Sequence, residues 1–370
     1  MQLKNFKSTA NRAMILAGAL FLLFSQSALA LHPEEKSEHG NLKARIQQLE
    51  AVADEHDHAT DHAAGGIGDH ISLSGLIEVE ASYFEVEDDN SESDLTLATV
   101  ELSIEGNVND QIGGHVTLLY DDDELDVDEA VISLTCGRRV AGVETSLHAG
   151  KMYLPFGNYG SFMVSDPYTL ELGETVADSL LLELMQDLLS VKFGLFRGNV
   201  DDGSEHHINH WTAALSVTPM PELEVGVSYL NDLAESNAEL VAVSDLYIDE
   251  VAAASVYLTW QTEQFGIVAE YLTALEDFNA EVVTAGDALS GQRPQAWSLE
   301  FAWMPAERWQ LAARYEQADD FLNDPRRYGA AASFGLYDNV AIALEYLYTD
   351  FDEASAPEEQ NLVGQLALAF

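Results

Sequence analysis

Glutamates recur in this chain at alternate positions of short apolar runs, a spacing that sorts charge from grease. In "WSLEFAWM", Trp297, Leu299, Phe301 and Trp303 share one side, opposed by Ser298, Glu300 and Ala302. "WQLAARYE" sets Trp309, Leu311, Ala313 and Tyr315 against Gln310, Ala312, Arg314 and Glu316, and "VAIALEYLYT" sets Ile342, Leu344, Tyr346 and Tyr348 against Ala341, Ala343 and Glu345. A period of two belongs to a strand, whose successive side chains point to opposite faces. By the same parity Glu78, Glu80, Glu101, Glu129, Glu144, Glu224 and Glu270 join Glu300, Glu316 and Glu345 on the polar face, against the basic Lys192 and Arg314. Each acid alone reads as a hydrated wall residue. Together, unless buried pairing neutralises them, they imply a negative field that draws cations and repels small anions, so neutralising Glu300, Glu316 and Glu345 is expected to weaken cation preference.

Two other groups of residues invite chemistry. The tract "HDHATDHAAGGIGDH" alternates His56, His58 and His62 with Asp57 and Asp61, an imidazole and carboxylate mixture suited to zinc or another borderline cation. A solvated, glycine-broken linker explains the same composition. The segment "GKMYLPFGNYGSFMVSDPYTLELGET" is too rich in Pro and Gly for one regular element and too apolar for a free external loop. It is expected to fold inward as a constriction, with Lys151, Tyr153, Asp166, Glu171 and Glu174 near the passage; the alternative is an aromatic cap over a barrel mouth. Nothing points to an enzyme: no G-x-S-x-G element occurs, and His115 and His148 have no evident Ser or Asp partner in sequence.

The elements that must position these residues are strands. Sixteen alternating runs can be counted between Ile71 and Phe370, the least secure being the pair near 176–185 and 190–198, where "LLLELMQDLL" also fits a helical turn. Short links such as "TPMPE", "QTEQ" and "PAER" are expected to alternate strictly with long acidic ones such as "DDGSEHHIN" and "NDLAESNAELVAVSD". Tight turns on one rim, long loops on the other and aromatic residues near strand ends predict an all-β fold, a transmembrane antiparallel barrel of about 16 strands. A closed sheet is required because an open edge would leave unpaired amides in hydrocarbon. The last run, "NLVGQLALAF", reads as the closing strand, with Phe370 at the periplasmic interface.

Lys4, Lys7 and Arg12 ahead of "AMILAGALFLLF", with Ala28 and Ala30 before Leu31, predict a secretory signal over residues 1–30. No later apolar run approaches the ~20 residues that span a bilayer as a helix. Residues 31–70 read as a periplasmic segment: Leu42, Ile46, Leu49 and Ala53 have coiled-coil spacing, a route to a homo-oligomer, and the His-rich linker follows. The barrel is expected over 71–370. With 64 acidic and 16 basic residues and a single Cys136, the chain is suited neither to nucleic acid nor to a disulfide framework. No cofactor is implied; a surface-bound divalent cation bridging to anionic outer-membrane lipid is compatible with the charge.

The strings "ISLSGLIEVEASYFE", "SDLTLATVELSIEG", "GHVTLLYDDDELDVDEAVISL" and "GKMYLPFGNYGSFMVSDPYTLELGET" resemble the LbtU-type siderophore porins of Gram-negative bacteria. The likeness is strong from Ile71 to Thr175 and more diffuse to Phe370. It implies an outer-membrane barrel for passive, plug-independent uptake of a ferric siderophore, and about forty residues between Leu31 and Ile71 are too few for a plug domain. The wall chemistry alone fits a general cation-preferring diffusion porin, carrying small cationic solutes, equally well.

Overall fold

The computed structural model describes residues 70–370 apart from 88–90, 122–123, 138, 140–141, 199, 201–207, 242–246, 248–249, 279–292 and 352–356. The signal segment, the coil and the histidine tract with His56, His58 and His62 lie outside the described residues. All sixteen runs form strands: β1 (Ile71–Val86), β2 (Ser91–Asn109), β3 (Ile112–Asp121), β4 (Glu124–Thr135), β5 (Glu144–Tyr153), β6 (Val176–Gln186), β7 (Leu189–Phe196), β8 (His210–Met220), β9 (Leu223–Leu230), β10 (Ala253–Gln261), β11 (Phe265–Ala274), β12 (Gln295–Ala306), β13 (Trp309–Asp319), β14 (Pro325–Tyr337), β15 (Val340–Phe351) and β16 (Glu359–Ala369). Each pairs antiparallel with its sequence neighbours, and β1 pairs with β16, so the sheet closes on itself and has no edge. Beyond β16, Gly75 and Phe370 exchange backbone hydrogen bonds of 2.8 and 3.0 Å, extending the seam. A Cβ at Gly75 would come 2.6 Å from the Phe370 ring, so only glycine admits that ring here.

The alternation read in the sequence is the alternation between lipid and lumen. On β12, Leu299 and Phe301 are each 47% exposed while Glu300 between them is 1% exposed. The apolar face meets no protein and must meet hydrocarbon. Aromatic rings girdle that outer face. Toward one rim Trp297 meets Tyr315, Tyr315 meets Tyr328 and Tyr328 meets Tyr348 at centroid distances of 5.0, 4.8 and 6.3 Å; toward the other, Trp309 packs on Phe334 at 4.8 Å. Among the described residues no helix is long and apolar enough to cross a membrane, and the crossing is made by strands.

The links depart from strict alternation. On the long-link rim, β3 and β4 are separated only by Asp122 and Asp123, and β13 and β14 only by 320–324, where Asp320, Leu322, Asn323 and Asp324 adopt left-handed φ values of 53–64°. On the other rim the β4–β5 link is longer than these, running from 136 to 143. The run "LLLELMQDLL" is a hairpin, because Asp187 takes a positive φ of 45° and turns the chain from β6 into β7.

Candidate functional site

The link between β5 and β6, residues 154–175, enters the barrel and crosses its lumen along the wall built by β9 to β15. An irregular segment inside a closed sheet cannot satisfy its amides from a ladder and needs other acceptors. The inward glutamates supply them, one strand after another. Gly157 N donates to Ser228 Oγ on β9 at 2.8 Å. Asn158 N and Tyr159 N donate to the two oxygens of Glu270 on β11 at 3.0 and 2.8 Å. Ser161 Oγ and Phe162 N do the same to Glu300 on β12 at 2.9 and 2.5 Å. Val164 N and Ser165 N reach Glu345 on β15 at 2.6 and 3.2 Å. Tyr168 N, opening the short helix α1 (Tyr168–Gly173), donates to Glu316 on β13 at 2.8 Å.

Two arginines complete this fastening. Arg314 Nη1 donates to Ser165 O at 2.8 Å and to Glu300 Oε1 at 3.1 Å, and its Nε lies 3.0 Å from Glu316 Oε1 without being in line for a hydrogen bond. Arg327 pairs with Glu316, donates to Asp166 O at 2.6 Å and lies 4.0 Å above the Tyr168 ring. Glu300, Arg314, Glu316 and Arg327 therefore alternate in charge. Glu270, Glu300, Glu316 and Glu345 are at most 4% exposed, which ionised carboxylates tolerate only when paired or hydrogen-bonded.

Packing follows the same track. Phe162 and Met163 sit on Val268, Ala302, Met304, Ala312 and Ala331, a wall kept low by small residues. At Gly266 a Cβ would lie 2.3 Å from the Phe162 ring, so the ring occupies the space a side chain would take. Higher in the barrel, Leu154, Phe156 and Leu172 share one apolar cluster with Leu233, Leu240, Tyr247 and Val251 of the β9–β10 link. The two links are tied directly, Asn237 N donating to Glu174 O at 2.7 Å and Asn237 Nδ2 to Glu174 Oε2 at 3.2 Å.

Among the described residues, no such cover lies on the opposite wall. On β2 to β7 buried apolar side chains, Val131, Met152 and Leu181 among them, point inward beside polar ones: Ser103 bonds Thr117 at 2.8 Å, His115 lies 3.4 Å from Glu129, and Ser133, His148, Glu183 and Lys192 form a row. Ser133 Oγ is 2.9 Å from His148 Nδ1, His148 Nε2 is 3.7 Å from Glu183 and Lys192 is 3.4 Å from Glu183. His148 thus has a serine partner that the sequence hid, because cross-strand register joins residues fifteen positions apart. Ser133 itself lies between β3 and β5, opposite Gly113 on one side and His148 on the other.

The residues singled out from the sequence divide accordingly. Glu270, Glu300, Arg314, Glu316 and Glu345 are buried under the loop instead of lining open water. Glu224 accepts from Tyr257 Oη at 2.5 Å, Glu80 accepts from Gln365 at 2.9 Å, and Glu129 meets His115. Glu78 and Glu101 share the inward parity, while Glu144 pairs with Arg139 at the short-link rim at 2.9 Å. Asp166 and Glu171 lie on the inward loop, and Arg327 stands 3.5 Å from Glu171. Burial pushes the Glu171 carboxyl above its ordinary value, partly offset by Arg327. Lys151 and Tyr153 are not on the loop: β5 continues through both, on the parity opposite the buried, inward Met152, where Lys151 Nζ donates to Val127 O at 2.5 Å and Tyr153 Oη to Asp128 at 2.9 Å. Arg327, Ser133 and Glu183 were missed. Parity alone would have placed Glu183 inward once β6 was accepted as a strand.

No family model matches the chain. Among curated relatives, a UPF0422 protein of Coxiella burnetii is 25% identical over 246 residues, 62% of this chain and 52% of that protein. A UPF0422 protein of Legionella pneumophila is 21% identical over 344 residues, 78% of this chain and 62% of that protein. The chain therefore spans about half to three fifths of the length of these relatives. Among solved structures, the outer membrane channel DcaP of Acinetobacter baumannii superposes with a TM-score of 0.61 at 11% identity, covering 81% of this chain and 97% of that one. OprB of Pseudomonas putida gives 0.58 at 7% identity over 81% and 94%, and Salmonella typhi OmpF in complex with daunomycin 0.55 at 12% over 81% and 97%. These likenesses are of fold, and with the lipid-facing band they identify the chain as a sixteen-strand β-barrel of the Gram-negative outer membrane.

Proposed function

We propose that this protein is a passive outer-membrane channel whose solute path runs off-centre, between the inward loop and the wall of β1 to β7, and favours cations. The observation that carries this reading is the unequal fate of the lumen acids. Glu270, Glu300, Glu316 and Glu345 are spent on loop amides and arginines, whereas Glu80, Glu129 and Glu183 remain on the uncovered wall, where Lys192 is held by Glu183. Carboxylates along a narrow aqueous path repel anions, and their field is screened over ~10 Å at 0.1 M salt. Reversal potentials of purified protein across a KCl gradient test it: cation preference is expected, weaker at higher salt and weaker in Glu80→Gln/Glu129→Gln. An anion-selective wild-type channel would sink the reading.

The family resemblance favours a ferric siderophore as cargo. An acidic wall limits that cargo to complexes that are neutral or cationic, or whose charge is shielded by their organic shell. Uptake would not need an energised plug, since the barrel interior contains its own links. Siderophore-dependent growth through this protein should therefore survive loss of the inner-membrane energising complex. Growth that disappears there while conductance is unchanged argues against passive siderophore transport.

A further inference from the structure

We propose that His210, Asp232 and Glu235 form a binding site for one divalent transition-metal ion, which clamps the start of β8 to the β9–β10 link at the barrel mouth. The three residues come from two segments: His210 opens β8, while Asp232 caps and Glu235 ends the short 3-10 turn Leu233–Glu235 after β9. All three are nine-tenths or more buried, at 5, 1 and 5% exposure. One donor atom from each lies within 4.8 Å of the others, and His210 Nε2 stands 3.5 Å from Glu235 Oε1. Bonds of about 2.0–2.1 Å to a tetrahedral ion place neighbouring donors about 3.4 Å apart, so this pair already has nearly the right edge length. Mixed imidazole and carboxylate donors without thiolate suit zinc and its neighbours better than calcium or magnesium.

The surroundings support a cation over a bare ion pair. Asp232 is positioned through one oxygen: Oδ1 accepts from Tyr247 Oη at 2.5 Å, Ala234 N at 3.1 Å and Val251 N at 3.3 Å, the outer bonds that orient a ligating carboxylate. Val200 N donates to both oxygens of Glu235 at 3.3 Å, which orients that carboxylate toward His210. Asn231 Nδ2 lies 3.5 Å from His210 Nδ1, the ring nitrogen away from Glu235, and donates to Glu250 at 3.0 Å. Burial, with Glu235 adding to it, holds the Asp232 carboxyl up at about 6, a penalty that a divalent cation would relieve. Gly198 closes the arrangement: a Cβ there would come 2.3 Å from Glu235 Oε1 and 2.6 Å from His210 Nε2, so any side chain would intrude on the donor pair.

Full-length protein, refolded in detergent, stripped with chelator and titrated with zinc, tests the site. The separate His-rich tract requires a control, so zinc per barrel is compared among wild type, His56→Ala/His58→Ala/His62→Ala, and His210→Gln/Asp232→Asn. The expected result is loss of one equivalent in the His210/Asp232 variant and its retention in the tract variant, with cobalt giving a tetrahedral visible spectrum only where the equivalent is retained. Heat-modifiable migration verifies that each barrel is folded, and Gly198→Val, which leaves all donors in the chain, should lose the same equivalent. Equal zinc content in wild type and folded His210→Gln/Asp232→Asn, or no zinc in either, overturns the proposal.

Discussion

At the scale of the residue, the same side chain does different work according to what covers it. Glu345 and Glu129 both point into the lumen, yet Glu345 is fully buried and accepts two loop amides, while Glu129 stays half-buried beside His115. Sequence parity put both on one face; it carried no sign of which would be covered, because a captured acid and a hydrated acid look alike in an alternating run. The expectation that neutralising Glu300, Glu316 and Glu345 acts through cation preference therefore changes. Glu345→Ala should leave the part-buried Val164 and Ser165 amides without their acceptor, at up to about 1–3 kcal/mol each. Glu300→Ala also removes a partner of Arg314, and breaking a buried pair costs roughly 3–5 kcal/mol. Either substitution should unseat the loop and raise conductance, with faster proteolysis between 154 and 175 as the independent check. Glu345→Gln keeps one carbonyl acceptor and should show a smaller effect.

At the scale of the element, the strands were legible because lipid on one side and water or protein on the other enforce a period of two over most of the barrel. The inward path of residues 154–175 was legible too, since Phe156, Phe162 and Met163 need cover that an external loop could not give them. What escaped was pairing information. Ser133 meets His148 only through the β4–β5 register, Arg327 finds Glu316 only across β13 and β14, and Lys151 and Tyr153 turned outward because β5 runs further than its last clear alternation. Close packing gives this scale its own predictions. Gly266→Val puts atoms where the Phe162 ring lies and should displace the loop without altering the barrel, seen as higher conductance with unchanged gel migration. Gly75→Val instead strikes the Phe370 ring at the β1–β16 seam, and overpacking of this kind costs about 1–3 kcal/mol, so the urea midpoint of the folded barrel should fall.

At the scale of the whole molecule, the barrel is asymmetric in cross-section: a covered arc from β9 to β15 and an uncovered arc from β1 to β7. Removing residues 158–166 should leave all sixteen strands complete and widen the passage, so liposome swelling should admit larger sugars than wild type does. Which arc conducts is decided most directly by cysteine accessibility in a Cys136→Ser background. His115→Cys marks the uncovered arc, where the native side chain is 33% exposed, and Ala302→Cys marks the wall under Phe162, where the native residue is 0% exposed. A charged, membrane-impermeant thiol reagent applied during single-channel recording should step the current down for His115→Cys and leave Ala302→Cys unaffected. Modification of Ala302→Cys at the same rate, or silence at His115→Cys in an open channel, would mean that the passage does not run beside a loop pinned by the wall glutamates.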